Sequence, residues 1–184
     1  SEKAVYRLYR KNNSKNDEKN TMIAKVNVVK NKKIKGISKS YALIQKTKLL
    51  NFHGIYQYKA KDKYFGEERP YLMLAMEELQ ITLKDYVASK YEDDGPGITE
   101  KECKSIIKDI LPQLSILHST GNIHCDIKPQ NIMFRDKKII KPEDNGWKLI
   151  DYDGSLFVGD SEVVKIKGNR GTVYWMPPEV DPWL

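Results

Sequence analysis

Cysteine is scarce in this chain. Only Cys103 and Cys125 occur, and neither has metal-ligand spacing with His53, His118 or His124. They read as reduced thiols in an intracellular protein, and a structural zinc site is not expected. No apolar run approaches the length of a membrane span, and Ser1-Glu2-Lys3-Ala4 does not open a signal peptide. The expected location is therefore intracellular, cytoplasmic or nuclear. No Met begins the chain, so a fragment of a longer protein is expected.

Acidic residues are missing from one long stretch. Between Lys25 and Lys61 there is no Asp or Glu, while lysines recur, and the whole chain carries a net charge of +7. The stretch reads as a solvated basic surface. No aromatic platform or base-reading motif accompanies the lysines, which argues against a nucleic-acid partner. With 184 residues, 40% of them hydrophobic, the chain can bury a sizeable core and is not of the disordered class.

Periodicity predicts strands at Ala4–Tyr9, Thr21–Val29, Gly54–Lys59 and Tyr71–Met76, the last apolar enough to be buried on both faces. Polar turns are expected at Lys11–Asn20, Lys30–Gly36 and Lys61–Pro70. Ser38–Leu50 and Thr82–Tyr91 read as short helices. Glu92–Gly97 reads as a linker. Thr99 opens the longest helix, with Glu102 at capping-box spacing. Ile106, Ile107, Ile110, Leu111, Leu114 and Leu117 predict that this helix is deeply packed, and Pro112 is expected to kink it. A strand at Ile132–Phe134 precedes the polar insert Arg135–Gly146. A further strand is expected at Trp147–Ile150, and irregular chain to Leu184.

The chemistry gathers at residues 123–134, I-H-C-D-I-K-P-Q-N-I-M-F. Asp126, Lys128 and Asn131 stand there at offsets of zero, two and five. A carboxylate, an ammonium and an amide on one short loop can orient a hydroxyl, neutralise a phosphate and hold a metal ion. The stretch resembles the protein-kinase catalytic loop H-R-D-x-K-x-x-N, with Cys125 where the family usually has Arg. The resemblance implies an α+β, two-lobed kinase-like fold, incomplete at both ends, with the nucleotide between the lobes. The N-lobe would be residues 1–76, the hinge 77–80, and a partial C-lobe 81–184.

That resemblance assigns roles residue by residue. Asp126 would accept or orient the proton of the attacking hydroxyl, and Lys128 would meet the transferred phosphoryl group. Asn131 would hold magnesium together with Asp151, whose segment D-Y-D-G is similar to the family's D-F-G. Lys25, in M-I-A-K-V, resembles the strand lysine that meets the nucleotide's phosphates. Met76 corresponds to the gatekeeper, and Glu77 to Leu79 to the segment that holds adenine. The stretch G-T-V-Y-W-M-P-P-E resembles the end of an activation segment, where Thr172 would bond the Asp126/Lys128 pair. Lys128 and Thr172 together look like the Ser/Thr-specific branch. The expected function is transfer of the ATP γ-phosphate to Ser/Thr hydroxyls of a protein substrate, with ATP and magnesium as cofactors.

Departures from the family pattern are specific. No acid occurs in Ser38–Leu50, where a Glu partner for Lys25 is usual, and Gln45 is the nearest polar stand-in. No glycine-rich loop is seen. Asp153 replaces a Gly, and is expected to strain a backbone that Gly would tolerate. Cys125 removes the Arg that often pairs with a phosphorylated activation segment, so dependence on phosphate at Ser155, Ser161 or Thr172 is not expected. Only five residues follow Glu179, so a partner or a further segment is expected to cover the C-lobe helix. These departures motivate the alternative of a pseudokinase acting as a nucleotide-binding or structural module. A small-molecule kinase of similar fold fits less well, because the 171–179 stretch resembles a peptide-substrate platform.

Overall fold

The computed structural model describes residues 3–8, 22–28, 47, 49, 52–61, 66–92, 95–135, 146–159 and 171–178. The chain divides into two compact units, Ser1–Glu78 and Leu79–Leu184. Most of the expected Ser38–Leu50 helix, including Gln45, lies outside the described residues. So do the expected turns at Lys11–Asn20 and Lys30–Gly36 and most of the Arg135–Gly146 insert.

The first unit is built on four antiparallel strands, β1 (Lys3–Leu8), β2 (Met22–Val28), β3 (Phe52–Lys61) and β4 (Glu68–Glu77), in the order β1-β2-β4-β3. Residues paired directly across neighbouring strands point to the same face. Leu72, Leu74 and Met76 of β4 line one face and are buried. On the other face Ala75 is buried, whereas Tyr71 and Met73 are only half-buried, so burial of β4 on both faces is partial. β3 and β4 also run further than their apolar cores predict. Their ends take in much of the expected Lys61–Pro70 turn, because ladder pairing continues through Ala60–Arg69 and Lys61–Glu68.

In the second unit, β5 (Ile81–Thr82) leads into α1 (Leu83–Tyr91). Thr82 caps α1, its Oγ1 accepting from the Asp85 N–H at 3.0 Å. The long helix α2 (Glu100–Ser119) starts on the capping box that the sequence predicts: Thr99 Oγ1 accepts from Glu102 N–H at 3.2 Å, and Glu102 Oε2 accepts from Thr99 N–H at 2.7 Å. The other oxygen of Glu102 receives the Tyr86 hydroxyl and lies 3.0 Å from Lys90 Nζ. Glu102 therefore ties α1 to α2 from a buried position.

Not all of the apolar positions on α2 are packed. Ile106, Ile110 and Leu117 are buried, Leu114 is half-buried, and Ile107 and Leu111 are 54% and 59% exposed. At 100° per residue the buried set and Gln113 share the stripe that meets β8 (Trp147–Leu149), and Ile107 and Leu111 fall outside it. The helix runs on through Pro112, which is exposed. The pyrrolidine removes the N–H that would have met the Lys108 carbonyl.

Two polar side chains of α2 complete the edge of β8. Asp109 Oδ2 accepts from the N–H groups of Gly146 (2.7 Å) and Trp147 (3.0 Å). Gln113 donates to the Trp147 carbonyl at 2.7 Å and accepts from Leu149 N–H at 3.0 Å. β8 pairs with β7 (Ile132–Phe134), which pairs with β5. The 156–184 region is not wholly irregular. Leu156–Phe157 forms β9, antiparallel to β6 (Asn122–Ile123), and a 3-10 turn spans Val173–Trp175.

Burial alone would raise the Glu102 carboxyl. The bonds from Tyr86, Thr99 and Lys90 overcome it and lower the pKa from 4.5 to about 2. A depressed carboxylate contributes stability that is fully present above 4.5 and is lost as pH falls through about 2. Glu102→Gln should therefore cost about 3 kcal/mol at pH 7. In urea titrations, the gap from the unsubstituted protein should narrow as pH falls below 4.5.

Candidate active site

The loop after β6 begins with a buried histidine. His124 Nε2 donates to the Ile150 carbonyl at 2.8 Å, and its Nδ1 accepts the Asp126 N–H at 3.2 Å. Burial pushes its pKa down, so the ring is neutral and the two bonds fix the Nε2–H tautomer. Cys125 then turns the chain with φ at 65°, in the left-handed region. After this turn the Asp126 carboxylate meets Lys128.

Three side chains converge on the Asp126 carboxylate. Lys128 Nζ lies 2.9 Å from Oδ2, Asn131 Nδ2 donates to Oδ2 at 3.0 Å, and the Thr172 hydroxyl donates to Oδ1 at 2.8 Å. Lys128 in turn donates to Thr172 Oγ1 at 2.6 Å. The result is a closed ring, ammonium to hydroxyl to carboxylate and back. Burial works to raise the Asp126 carboxyl. The Lys128, Thr172 and Asn131 bonds and the lysine charge outweigh it and hold the group below the ordinary carboxylate range. It is an anion at neutral pH.

Pro129 opens a 3-10 turn that closes with the Asn131 N–H on the Lys128 carbonyl at 2.8 Å. The turn buries Asn131 and aims its amide nitrogen at Asp126, whose backbone carbonyl it also meets at 2.8 Å. Both side-chain bonds of Asn131 use Nδ2, which leaves Oδ1 as a hard oxygen acceptor suited to a cation.

Asp151 is held through its neighbours. Ile150 donates its N–H to the Asn131 carbonyl at 2.9 Å and gives its own carbonyl to His124. Tyr152 is fully buried, packs at 5.0 Å against the His124 ring, and donates its hydroxyl to the Leu149 carbonyl at 3.0 Å. Between these anchors Asp151 adopts φ 62°, ψ 61°. Such a conformation costs a non-glycine residue on the order of 1 kcal/mol and persists only where the surroundings enforce it. The backbone cost expected at Asp153 is not there. Asp153 and Gly154 belong to a 3-10 turn, and among the described non-glycine residues only Cys125 and Asp151 have positive φ.

The other candidates lie elsewhere in the chain. Lys25 is half-buried on β2, paired across the ladder with Val5 and Leu74. Met76 is buried on β4, two positions from Leu74 and on the same face as Lys25. Glu77 ends β4 in the first unit, and Leu79 is the first residue of the second, where it is buried. Sequence reasoning missed His124, the Tyr152 hydroxyl and Gly171. Gly171 has φ 94°, and a Cβ there would press into the Cys125 carbonyl. The His in I-H-C-D and the Gly before Thr172 were the available signals.

The Protein kinase domain family matches residues 2–180. The chain belongs to that family. It is 37% identical over 100 residues to a Dictyostelium discoideum protein named "Probable serine/threonine-protein kinase fnkB", covering 54% of this chain and 17% of that one. It is 40% identical over 81 residues to the serine/threonine-protein kinase Tao of Drosophila melanogaster, covering 44% and 7%. Death-associated protein kinase 2 of Homo sapiens is 36% identical over 98 residues, covering 53% and 24%. The matched segment thus spans less than a quarter of each of these relatives.

Two substitutions test the ring. Thr172→Val removes a bond that lowers the Asp126 carboxyl, so that pKa should rise, as read by carbon NMR of the carboxyl, and Thr172→Ser should restore it. Gly171→Ala should produce the same upward shift without touching the hydroxyl, because its Cβ would displace Thr172 from Asp126.

Proposed function

We propose that this protein kinase chain transfers the γ-phosphate of ATP to Ser or Thr hydroxyls of a protein substrate. The observation that carries the reading is the Lys128–Thr172–Asp126 ring with Asn131 bonded into it. Phosphoryl transfer asks a protein mainly for positioning and charge stabilisation. Asp126, ionised and of low basicity, would orient the attacking hydroxyl and take its proton only as the new bond forms. Lys128 would place positive charge beside the moving phosphoryl group. Thr172 would fix the separation of the two and set the substrate segment beside them.

Asn131 Oδ1 and the Asp151 carboxylate would hold magnesium, which neutralises phosphate charge when bound. Among the described residues there is no group of three or more His, Cys, Asp and Glu that could hold a metal. One amide and one carboxylate fit an ion that takes its remaining ligands from phosphate and water. Residues 1–76 would form the N-lobe, 77–80 the hinge and 81–184 the C-lobe. Lys25 would meet the nucleotide phosphates, with Met76, Glu77 and Leu79 lining the adenine.

One observation favours a second reading, a pseudokinase module. The stretch Ser38–Leu50 contains no acid to pair with the strand lysine. The two readings separate in a transfer assay with labelled ATP on the full-length parent. Asp126→Asn should lower transfer by about 10²- to 10⁴-fold while ATP binding persists. Absence of transfer by the unsubstituted protein, together with no magnesium-dependent ATP binding, would sink the first reading.

A further inference from the structure

Alternation along the strands gives the first sheet two faces. One carries Lys25 and the buried Leu72 and Leu74. On the other, β4 presents Arg69, Tyr71, Met73, Ala75 and Glu77 in that order. The ladders extend each position into a row. Tyr58 stands beside Tyr71, Tyr56 and Val26 flank Met73, and Gly54 and Ala24 flank Ala75. Between the rows of Arg69 and Glu77 this face has no charged side chain among the described residues. Tyr56 and Tyr58 are nevertheless 49% and 42% exposed. A water-facing sheet surface ordinarily carries polar residues at such positions.

The order along β4 is its own complement. Laid antiparallel over a second copy and centred on Met73, Arg69 meets Glu77, Tyr71 meets Ala75, and Met73 meets Met73. The neighbouring strands follow the same pattern. Tyr58 and Tyr71 stack with centroids 5.3 Å apart and planes within 12°, so their row is a ridge. Ala24 and Ala75 are short, so their row is a trough. At Gly54 that row is filled by the Tyr56 ring, which bends back over the glycine. The ridge of one copy thus falls on the trough of the other, with ring against ring at the β3 end.

We infer that the chain forms a reversible homodimer through this face, the two sheets packed face to face about a two-fold axis at Met73. Sheets packed in this way lie about 10 Å apart, a gap that an Arg and a Glu side chain can span together. A two-fold axis makes every contact twice, so the Arg69–Glu77 pair forms at both ends of β4. A partner of other sequence would have to match the order of charge and size along the strand, whereas a second copy matches it by symmetry. The patch runs about 27 Å along the strands and about 19 Å across them. Roughly 500 Å² on each copy is at the low end for specific association, so a Kd of about 1–100 μM is expected. The inference does not rest on the phosphotransfer reading, and its test needs no nucleotide.

The test is sedimentation velocity of the chain from about 1 to 200 μM, a range that brackets the expected Kd. The unsubstituted protein should pass from monomer to dimer across it. Arg69→Glu and Glu77→Arg each put like charges together at both ends of β4 and should weaken association at least about tenfold. The two substitutions combined restore opposite charges and should bring the Kd back to within about threefold of the unsubstituted protein. Melting temperatures check the fold of each variant. If a charge reversal lowers the melting temperature, Tyr58→Ser, at an exposed position of the edge strand, should weaken association at least about tenfold instead. A chain that stays monomeric to the top of the range overturns the inference. So does a dimer that these folded variants leave unchanged, or one that the combined reversal fails to restore while its melting temperature holds.

Discussion

The second unit depends on one neutral imidazole. His124 donates from Nε2 to the Ile150 carbonyl and accepts at Nδ1 from the Asp126 backbone, so a single ring spans the two segments that carry the carboxylates. Both bonds require the same protonation state. A proton on Nδ1 would face the Asp126 N–H, donor against donor. Burial disfavours that proton as well, and the Tyr152 ring closes over the imidazole. The polarity that a solvent-facing histidine would offer at this position is spent on holding Asp126 and Asp151 in fixed places.

This constraint explains where strain is stored. Cys125 and Asp151 both sit in the left-handed region, one residue to either side of a His124 bond: Cys125 precedes Asp126, and Asp151 follows Ile150. Each site is clamped on both sides. Asn131 binds Ile150 beyond the clamp and Asp126 within it, and the buried Tyr152 hydroxyl fastens the chain after Asp151. Burial keeps that hydroxyl protonated, by raising its pKa, so it remains a donor. The cost of two unfavourable backbone conformations is thus met by bonds that exist only when the two segments meet.

Local signals were read well and non-local ones poorly. The Thr99 capping box, the α1 start at Thr82 and the β2 and β4 strands depend on neighbours within a few residues, and each was legible in the sequence. The Asp126, Lys128 and Asn131 offsets were legible for the same reason, since one loop carries all three. The packing of α2 was overread, because an apolar residue announces a preference for burial but not the partner that would cover it; Ile107 and Leu111 have the preference without the cover among the described residues. The short β9 strand is two residues long and exists through its pairing with Asn122–Ile123, which no window on residues 156–157 contains. Asp153 misled by position. The replaced glycine suggested a glycine conformation, but the local turn takes ordinary angles there, and the strain sits two residues earlier where His124 imposes it.

The same distinction separates lysines from tyrosines in the first unit. Lysines cluster along the sequence, so they are visible as a charge run. Tyr6 and Tyr71 are 65 positions apart and come to one face only through the β1-β2-β4-β3 order. A linear search for aromatics among the lysines finds none in register, because register is a property of the ladder. Strand order also decides which face is left with rings. Leu72, Leu74 and Met76 take the packed side of β4, alternation sends Tyr71 and Met73 to the other, and the antiparallel pairing of β3 adds Tyr56 and Tyr58 beside them. A one-residue slip of β3 would turn Tyr56 and Tyr58 to the face of Leu72 and Leu74 and bring Ile55 and Gln57 to the other. The packing that buries Leu72 and Leu74 is therefore also what presents the tyrosine rings to solvent.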